Sequence, residues 1–400
     1  MLRCYPLSRA SWVLTSTVIR IAQTMNLHRD GDGHRFSTFE AEMRRRLWHF
    51  ITVIDIRAAE DRGSDAILTS SSHNTALPTN IDDDDFGPSS QGPLVPKATP
   101  ADNIICMCTA RCGVFGYITH PHTKTSEDGQ DTLHTEDELI GYVRALENDF
   151  IHTADPSHLN SRYASEVARM VILKLWLIVQ YPFSAHPTVT PMRVSQETML
   201  RTAVSVMELS ERMTQGPWAG RFAWWTDCYV QWHPLAVALA ELCVQRDGEL
   251  VNRAWKIVDQ VYPRWKENVA DSSSGPLWRP IRKLYRKAKA AKTGAMMGNL
   301  SLDQACEKSL TGSSSAPTID LLSGQTTVEQ PQAVIDPALE FPMTFDDATD
   351  PSFLFQFPTT SPDGLDHTTG MPLDMGVWAD FLNDTQMDFS PEGSGTGESS

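Results

Sequence analysis

The stretch from Tyr163 to Tyr181 is apolar nearly all round and stops at Pro182. A helix of that kind has no face to offer to water, so other elements must surround it. Proline lacks the N–H that would continue the helix, which accounts for the stop. The densest part, Met170 to Val179, is ten residues long and interrupted by Lys174. About 20 residues are needed to cross a bilayer, so the segment predicts a central buried helix and no membrane span.

Apolar residues recur at three- and four-residue steps through the rest of the first three hundred positions. Ala10, Val13, Leu14, Thr17, Val18, Ile21, Ala22 and Met25 share one stripe and predict a first helix. Asn26 tolerates the left-handed conformation that ends such a helix. Ser37 and Glu40 stand at capping-box spacing before a second helix, whose predicted buried stripe is Met43, Leu47, Phe50, Ile51 and Ile54. Glu40 with Arg44, and Glu42 with Arg46, are four-apart pairs on its wet side.

A loop rich in Ser, Pro, Asn and Asp is expected from Gly63 to about Pro100. Helical pattern resumes near Ala101 to Tyr117, with Ile104, Ile105, Cys108, Cys112 and Phe115 on one face. Thr135 and Glu138 make a second capping box. Further helices are expected over Arg193–Met213, Trp218–Val244, Leu250–Val269 and Leu277–Lys292, the last with Trp278, Ile281, Leu284 and Tyr285 inward. Pro234 and Pro263 should split or kink the helices that contain them. No alternating series announces a strand. The expected fold class is all-α, a multi-helix domain over residues 1–310.

Composition changes beyond that point. No Lys or Arg follows Lys308, while fifteen Asp and Glu lie between Asp320 and Ser400. The remainder carries 35 acids against 34 bases, so the chain-wide charge of −16 belongs almost wholly to residues 311–400. Ser, Thr, Pro, Gly and acids without periodicity predict a disordered acidic tail. A nearly neutral body argues against a large nucleic-acid-binding face there. The N-terminus lacks a secretory signal, and seven widely spaced cysteines make no disulfide framework, so a reducing, intracellular setting is expected.

Four segments occur in an order that resembles the regulatory region of fungal binuclear zinc-cluster transcription regulators, most strongly over residues 8–95. They are Met25-Asn26-Leu27-His28-Arg29-Asp30-Gly31, Phe39 to Trp48, Asp55 to Gly63, and Leu77-Pro78-Thr79-Asn80-Ile81-Asp82-Asp83-Asp84-Asp85. The family usually has Gly where Asn26 stands. Gln231 to Ala236 and Leu277 to Pro280 are similar to its later helices. The resemblance implies a nuclear protein that controls transcription, deployed in a metabolic or secondary-metabolite gene set. It also implies an N-terminal module in which six cysteines hold two zinc ions and contact DNA. Nothing before Leu7 matches that module and no C-x-x-C pair occurs, so the reading expects a truncated regulator or one without its own zinc cluster. No cofactor is expected in this chain.

Several residues have chemistry of their own. Arg44, Arg45 and Arg46 read as a solvated helix face rather than a phosphate site. Asp82 to Asp85 resembles the magnesium-binding run of all-α prenyl-diphosphate enzymes, but it falls in a loop without a partner motif, so no catalytic residue is assigned. Cys106, Cys108 and Cys112, with His120 and His122 downstream, read as core rather than a zinc site. Trp218, Trp224, Trp225, Trp232, Trp255, Trp265 and Trp278 read as packing. Arg279, Arg282, Lys283, Arg286, Lys287, Lys289 and Lys292 form a basic helix face, and Arg282, Lys283, Arg286 and Lys287 are the nominated nuclear-import residues.

The tail intersperses aromatics with Asp, the compositional mark of an activation region. Val377, Trp378, Phe381 and Leu382 would share one face if residues 375–385 became helical on a coactivator. The expected function is therefore a non-enzymatic transcription regulator. Its expected partners are coactivators, a second copy or related zinc-cluster regulators, and DNA only indirectly or through the absent module. A corepressor or decoy that pairs with full-length relatives is the alternative.

Overall fold

A computed structural model describes residues 8–31, 36–60, 66–119, 136–181, 195–227, 229–268 and 278–310. Among them the regular elements are helical: α1 (Ser8–Thr24), α2 (Thr38–Glu60), α3 (Ile104–Thr119), α4 (Glu136–Leu146), α5 (Leu159–Gln180), α6 (Gln196–Gln215), α7 (Ala219–Thr226), α8 (Trp232–Val244), α9 (Glu249–Asn268) and α10 (Trp278–Leu310). Short 3-10 turns lie at Ser70–Ser72 and Asp83–Asp85, and a π turn at Glu147–Ile151 follows α4. The all-α expectation holds. The chain divides into two compact units, one of residues 1–291 and 360–400 and one of residues 292–359, of which residues 292–310 of α10 are described.

Helix α5 is the buried centre that its composition demands. Ile172 through Val179 are buried without interruption, Lys174 included, and the helix packs against α3, α4, α6 and α8. Each large apolar side chain so enclosed contributes about 1.5–3 kcal/mol relative to exposure. Helix α6 shares the centre, packing on α5, α7, α8 and α9 with Leu200, Val204 and Met207 fully inside. Pro182 lies outside the described residues.

The end of α1 follows from one residue. Asn26 adopts φ 57°, Leu27 N–H donates to Ala22 O at 2.9 Å, and Asn26 N–H donates to Gln23 O at 2.9 Å. Those two bonds make a Schellman motif, and its usual apolar contact is present because Ala22 and Leu27 belong to one core cluster with Trp48 and Ile51. Helix α2 opens on the expected capping box: Glu40 N–H donates to Ser37 Oγ at 3.2 Å and Ser37 N–H to Glu40 Oε2 at 3.1 Å.

The facing of these two helices is a correction. Thr15, Ile19 and Ala22 are the buried side of α1, while Val13, Leu14, Val18, Ile21 and Met25 are exposed, Ile21 at 56%. In α2, Met43, Leu47 and Phe50 are likewise exposed, and Trp48, Ile51 and Asp55 point inward. Both helices carry two apolar rows, and periodicity alone does not say which row has a partner. The exposed rows meet in a surface groove where Met25, Phe36, Met43, Leu47 and Phe50 come together.

The prolines also act differently from expectation. Where one helix was expected from Trp218 to Val244 there are two, α7 ending at Thr226 and α8 starting at Trp232, with Pro234 in the first turn of α8 where a missing N–H costs nothing. Pro263 lies inside α9 without ending it, on the exposed side where water reaches the released carbonyl. Gly248, at φ 117°, makes the turn into α9, a conformation that side chains strain to adopt. Helix α10 continues past Lys292 to Leu310. Thr135 is outside the described residues.

Candidate functional site

The segments that carry the family resemblance hold one another in place. Asp30 accepts from Arg45 Nε and Nη2, each at 2.8 Å, and from the Ala76 N–H at 3.3 Å. Glu42, fully buried, accepts from Arg46 at 3.0 Å and from Thr79 N–H at 3.1 Å. Asp55 accepts from Leu68 N–H at 2.8 Å, and burial pushes its carboxyl up to about 6. Asn80 donates to Lys97 O and Thr99 O, each at 2.8 Å, and accepts from Ala101 N–H at 3.2 Å. The loop from 66 to 103 is thereby fixed across α2, although it contains almost no regular structure.

The arginines are engaged rather than solvated. Arg44 donates to Met25 O at 2.7 Å and lies over the Phe36 ring, Arg45 pairs with Asp30, and Arg46 bridges Glu42 and Asp83. Of the two expected helix pairs, Glu42 with Arg46 is present, whereas Glu40 turns back to Ser37. In the acidic run, Asp82 and Asp85 both pair with Lys97, the latter at 2.7 Å. The lysine hydrogen bond holds the Asp82 carboxyl below the usual carboxylate range. Three of these four aspartates thus have cationic partners within the protein. Among the described residues, no three His, Cys, Asp or Glu gather as metal ligands would.

Cys108 is buried and donates to Ala164 O at 3.3 Å, with Cys112 Sγ 4.0 Å away. Burial pushes the Cys106 thiol up to about 11, well away from a reactive thiolate. His120 and His122 lie outside the described residues. On α10, Trp278, Ile281, Leu284 and Ala288 face inward, and Tyr285 stacks on Tyr262 at 3.9 Å. Arg279, Lys283, Arg286, Lys287 and Lys289 are exposed and Arg282 half-buried, so the nominated import residues lie along the outer side. Trp218, Trp232, Trp255, Trp265 and Trp278 are core residues, while Trp224 is 66% exposed. Val377, Trp378, Phe381 and Leu382 lie outside the described residues.

Trp225 does something else. It lines a partly open cavity of about 110 Å³ bordered by α2, α3, α5, α6 and α7. Val53, Ile56, Val167 and Met170 supply aliphatic wall, and Tyr163, Trp225 and Tyr229 supply rings. The aromatic side is locked from behind: Tyr163 stacks on Phe222 at 4.4 Å, its hydroxyl is 2.9 Å from Thr226 Oγ1, and Trp225 packs edge-on to Tyr229 at 4.7 Å. At one end Lys174 forms a buried ion pair with Glu60, which also accepts from Arg57 at 2.6 Å, and Arg57 lies over the Tyr229 ring. Two cations thus share one carboxylate at this end. The lining combines apolar walls with a few polar groups. In the sequence Trp225 reads as one of the packing tryptophans, because the residues that meet here come from separate helices and share no local spacing.

Comparison with known proteins agrees with the resemblance. Residues 1–109 match the fungal specific transcription factor domain. The C6 finger domain transcription factor adaR of Aspergillus niger is 28% identical over 306 residues, covering 70% of this chain and 39% of that protein. The C6 finger domain transcription factor nscR of Aspergillus fumigatus is 26% identical over 332 residues, 78% of this chain and 41% of the relative. The aurofusarin cluster transcription factor aurR2 of Gibberella zeae is 24% identical over 273 residues, 67% and 40% respectively. The chain therefore spans about two fifths of the length of the curated relatives it matches. No solved structure matches it. Over residues 1–109, this chain is similar to the fungal specific transcription factor domain family.

Proposed function

We propose that this chain is the regulatory and recruiting part of a non-enzymatic transcription regulator of a fungal secondary-metabolite gene set. The observation that carries the reading is the domain match over residues 1–109, joined to relatives named as transcription factors, one of them for an aurofusarin cluster. In this reading the helical body receives regulatory input and residues 311–400 contact coactivators through Val377, Trp378, Phe381 and Leu382. Arg282, Lys283, Arg286 and Lys287 direct nuclear import. Direct DNA contact and zinc belong to a module of the C6 finger kind named for the relatives. Support for the tail's role is compositional: fifteen acids and no Lys or Arg after Lys308, with aromatics between them. Residues 312–400 fused to an unrelated DNA-binding module are expected to raise reporter transcription, and Trp378→Ala with Phe381→Ala to abolish the rise. Reporter output equal to that of the module alone overturns the recruiting role.

A further inference from the structure

We infer that the surface groove between the end of α1 and the start of α2 is the seat of the chain's own acidic segment from Met375 to Asp388, docked through Val377, Trp378, Phe381 and Leu382. The first observation is the groove itself. Met25, Phe36, Met43, Leu47 and Phe50 line it and stand between 38% and 53% exposed. Its volume is about 560 Å³, within the roughly 300–1,000 Å³ usual for an occupied cleft. Apolar residues exposed singly are ordinary, whereas several converging in one cleft mark a docking surface.

The second observation is charge. No Asp or Glu occurs between Met1 and Arg29. Arg20 on α1 and Arg29 just beyond it are exposed, and Arg44 lines the groove, donating to Met25 O and lying over the Phe36 ring. None of these three arginines has a carboxylate partner among the described residues, whereas Arg46 is answered by Glu42 and Asp83. Glu40, the acid that borders the groove, is held by Ser37. Residues 371–389 carry Asp374, Asp380, Asp384 and Asp388 and no Lys or Arg. A second copy of the body would set the same arginines face to face, so charge favours the acidic segment as occupant.

Pattern agrees with charge. On a helix Val377, Trp378, Phe381 and Leu382 share one face, and Asp380 and Asp384 project beside it, four residues apart. Apolar anchors laid into a groove with charges at its rim are the helix-in-groove mode of recognition. Residues 311–374 join α10 to this segment, a length that does not restrict its reach. Being intramolecular, the contact needs only a weak interface. The same four side chains are those proposed to meet coactivators, so a coactivator displaces them from the groove, and the whole chain activates less than residues 312–400 alone. Only that consequence rests on the transcription reading. Docking is measured on the purified full chain without DNA or reporter, so the two claims fail separately.

The probe is the photo-crosslinker p-benzoylphenylalanine in place of Trp378, irradiated in dilute full-length protein. We expect adducts within single chains, mapped by mass spectrometry to peptides that contain Met25, Met43 or Leu47. Leu47→Glu, or Met43→Glu should the first fail to fold by circular dichroism, should lower their yield roughly tenfold. Asp380→Lys with Asp384→Lys should lower it roughly fivefold. Adducts elsewhere on the body, or none, overturn the docking, and adducts that join two chains assign the groove to a second copy. Yield that survives the folded groove variant overturns the site. Yield indifferent to the aspartate changes overturns the charge recognition.

Discussion

Lys174, the charge that interrupts an otherwise apolar helix, forms a buried ion pair with Glu60 at the last residue of α2. The pair joins α2 to α5 and explains a lysine at the centre of the fold. Removing one partner of such a pair leaves the other charge buried, at a cost of about 3–5 kcal/mol, whereas apolar replacement of both is often nearly neutral. Lys174→Met alone is expected to lose on the order of 3 kcal/mol, moderated by Arg57, which still reaches Glu60 at 2.6 Å. Lys174→Met with Glu60→Leu should recover most of it. Urea unfolding of the three variants gives the coupling directly.

Asn26 holds a left-handed backbone at φ 57° in the helix cap of α1. Glycine takes that conformation without a Cβ penalty. Asn26→Gly is expected to stabilise the protein by about 0.5–1 kcal/mol, read as a higher melting temperature. An unchanged or lower melting temperature would mean that the Asn26 side chain contributes more than its backbone costs.

The two apolar rows of α1 make opposite forecasts. Ile19 is buried at 2% exposure and Ile21 stands out at 56%. Ile19→Lys buries an unpaired charge and should lose more than about 4 kcal/mol, while Ile21→Lys should stay within about 0.5 kcal/mol. Equal losses would show that the outer row is covered.

Acid should weaken the body through buried histidines. Burial holds His233 at about 3 and His73 at about 4, and lowers His49 as well. A histidine with a depressed folded pKa stabilises the fold above its unfolded value of about 6.5 and loses that contribution as pH falls. For His233 the loss is roughly 2–3 kcal/mol between pH 7 and 4.5. Asp55, raised to about 6, acts in the opposite sense: its contribution is present in acid and lost as pH rises through about 6. His233→Gln should therefore flatten the acid slope of urea midpoints, and Asp55→Asn should steepen it.

Much of this architecture was legible from local pattern. The capping box at Ser37 and Glu40, the stop at Asn26, the enclosed helix around Lys174 and the inward row of α10 each depend on neighbours within a turn or two. What was not legible depends on partners far along the chain. Which row of α1 or α2 meets the core is decided by helices elsewhere. Arg45 finds Asp30 across the α1–α2 turn, and Glu42 finds Thr79 across 37 residues. The cavity is the extreme case, since Val53, Tyr163, Trp225 and Gln231 have no shared spacing and are ordinary core residues when taken singly.

The most direct measurement of the central claim is to tether the whole 400-residue chain to a reporter promoter through an unrelated DNA-binding module and count transcripts. The account predicts a rise above the module alone that disappears when Val377, Trp378, Phe381 and Leu382 are changed to Ala. Transcript levels that stay at those of the module alone, with the fusion folded and present in the nucleus, would contradict it.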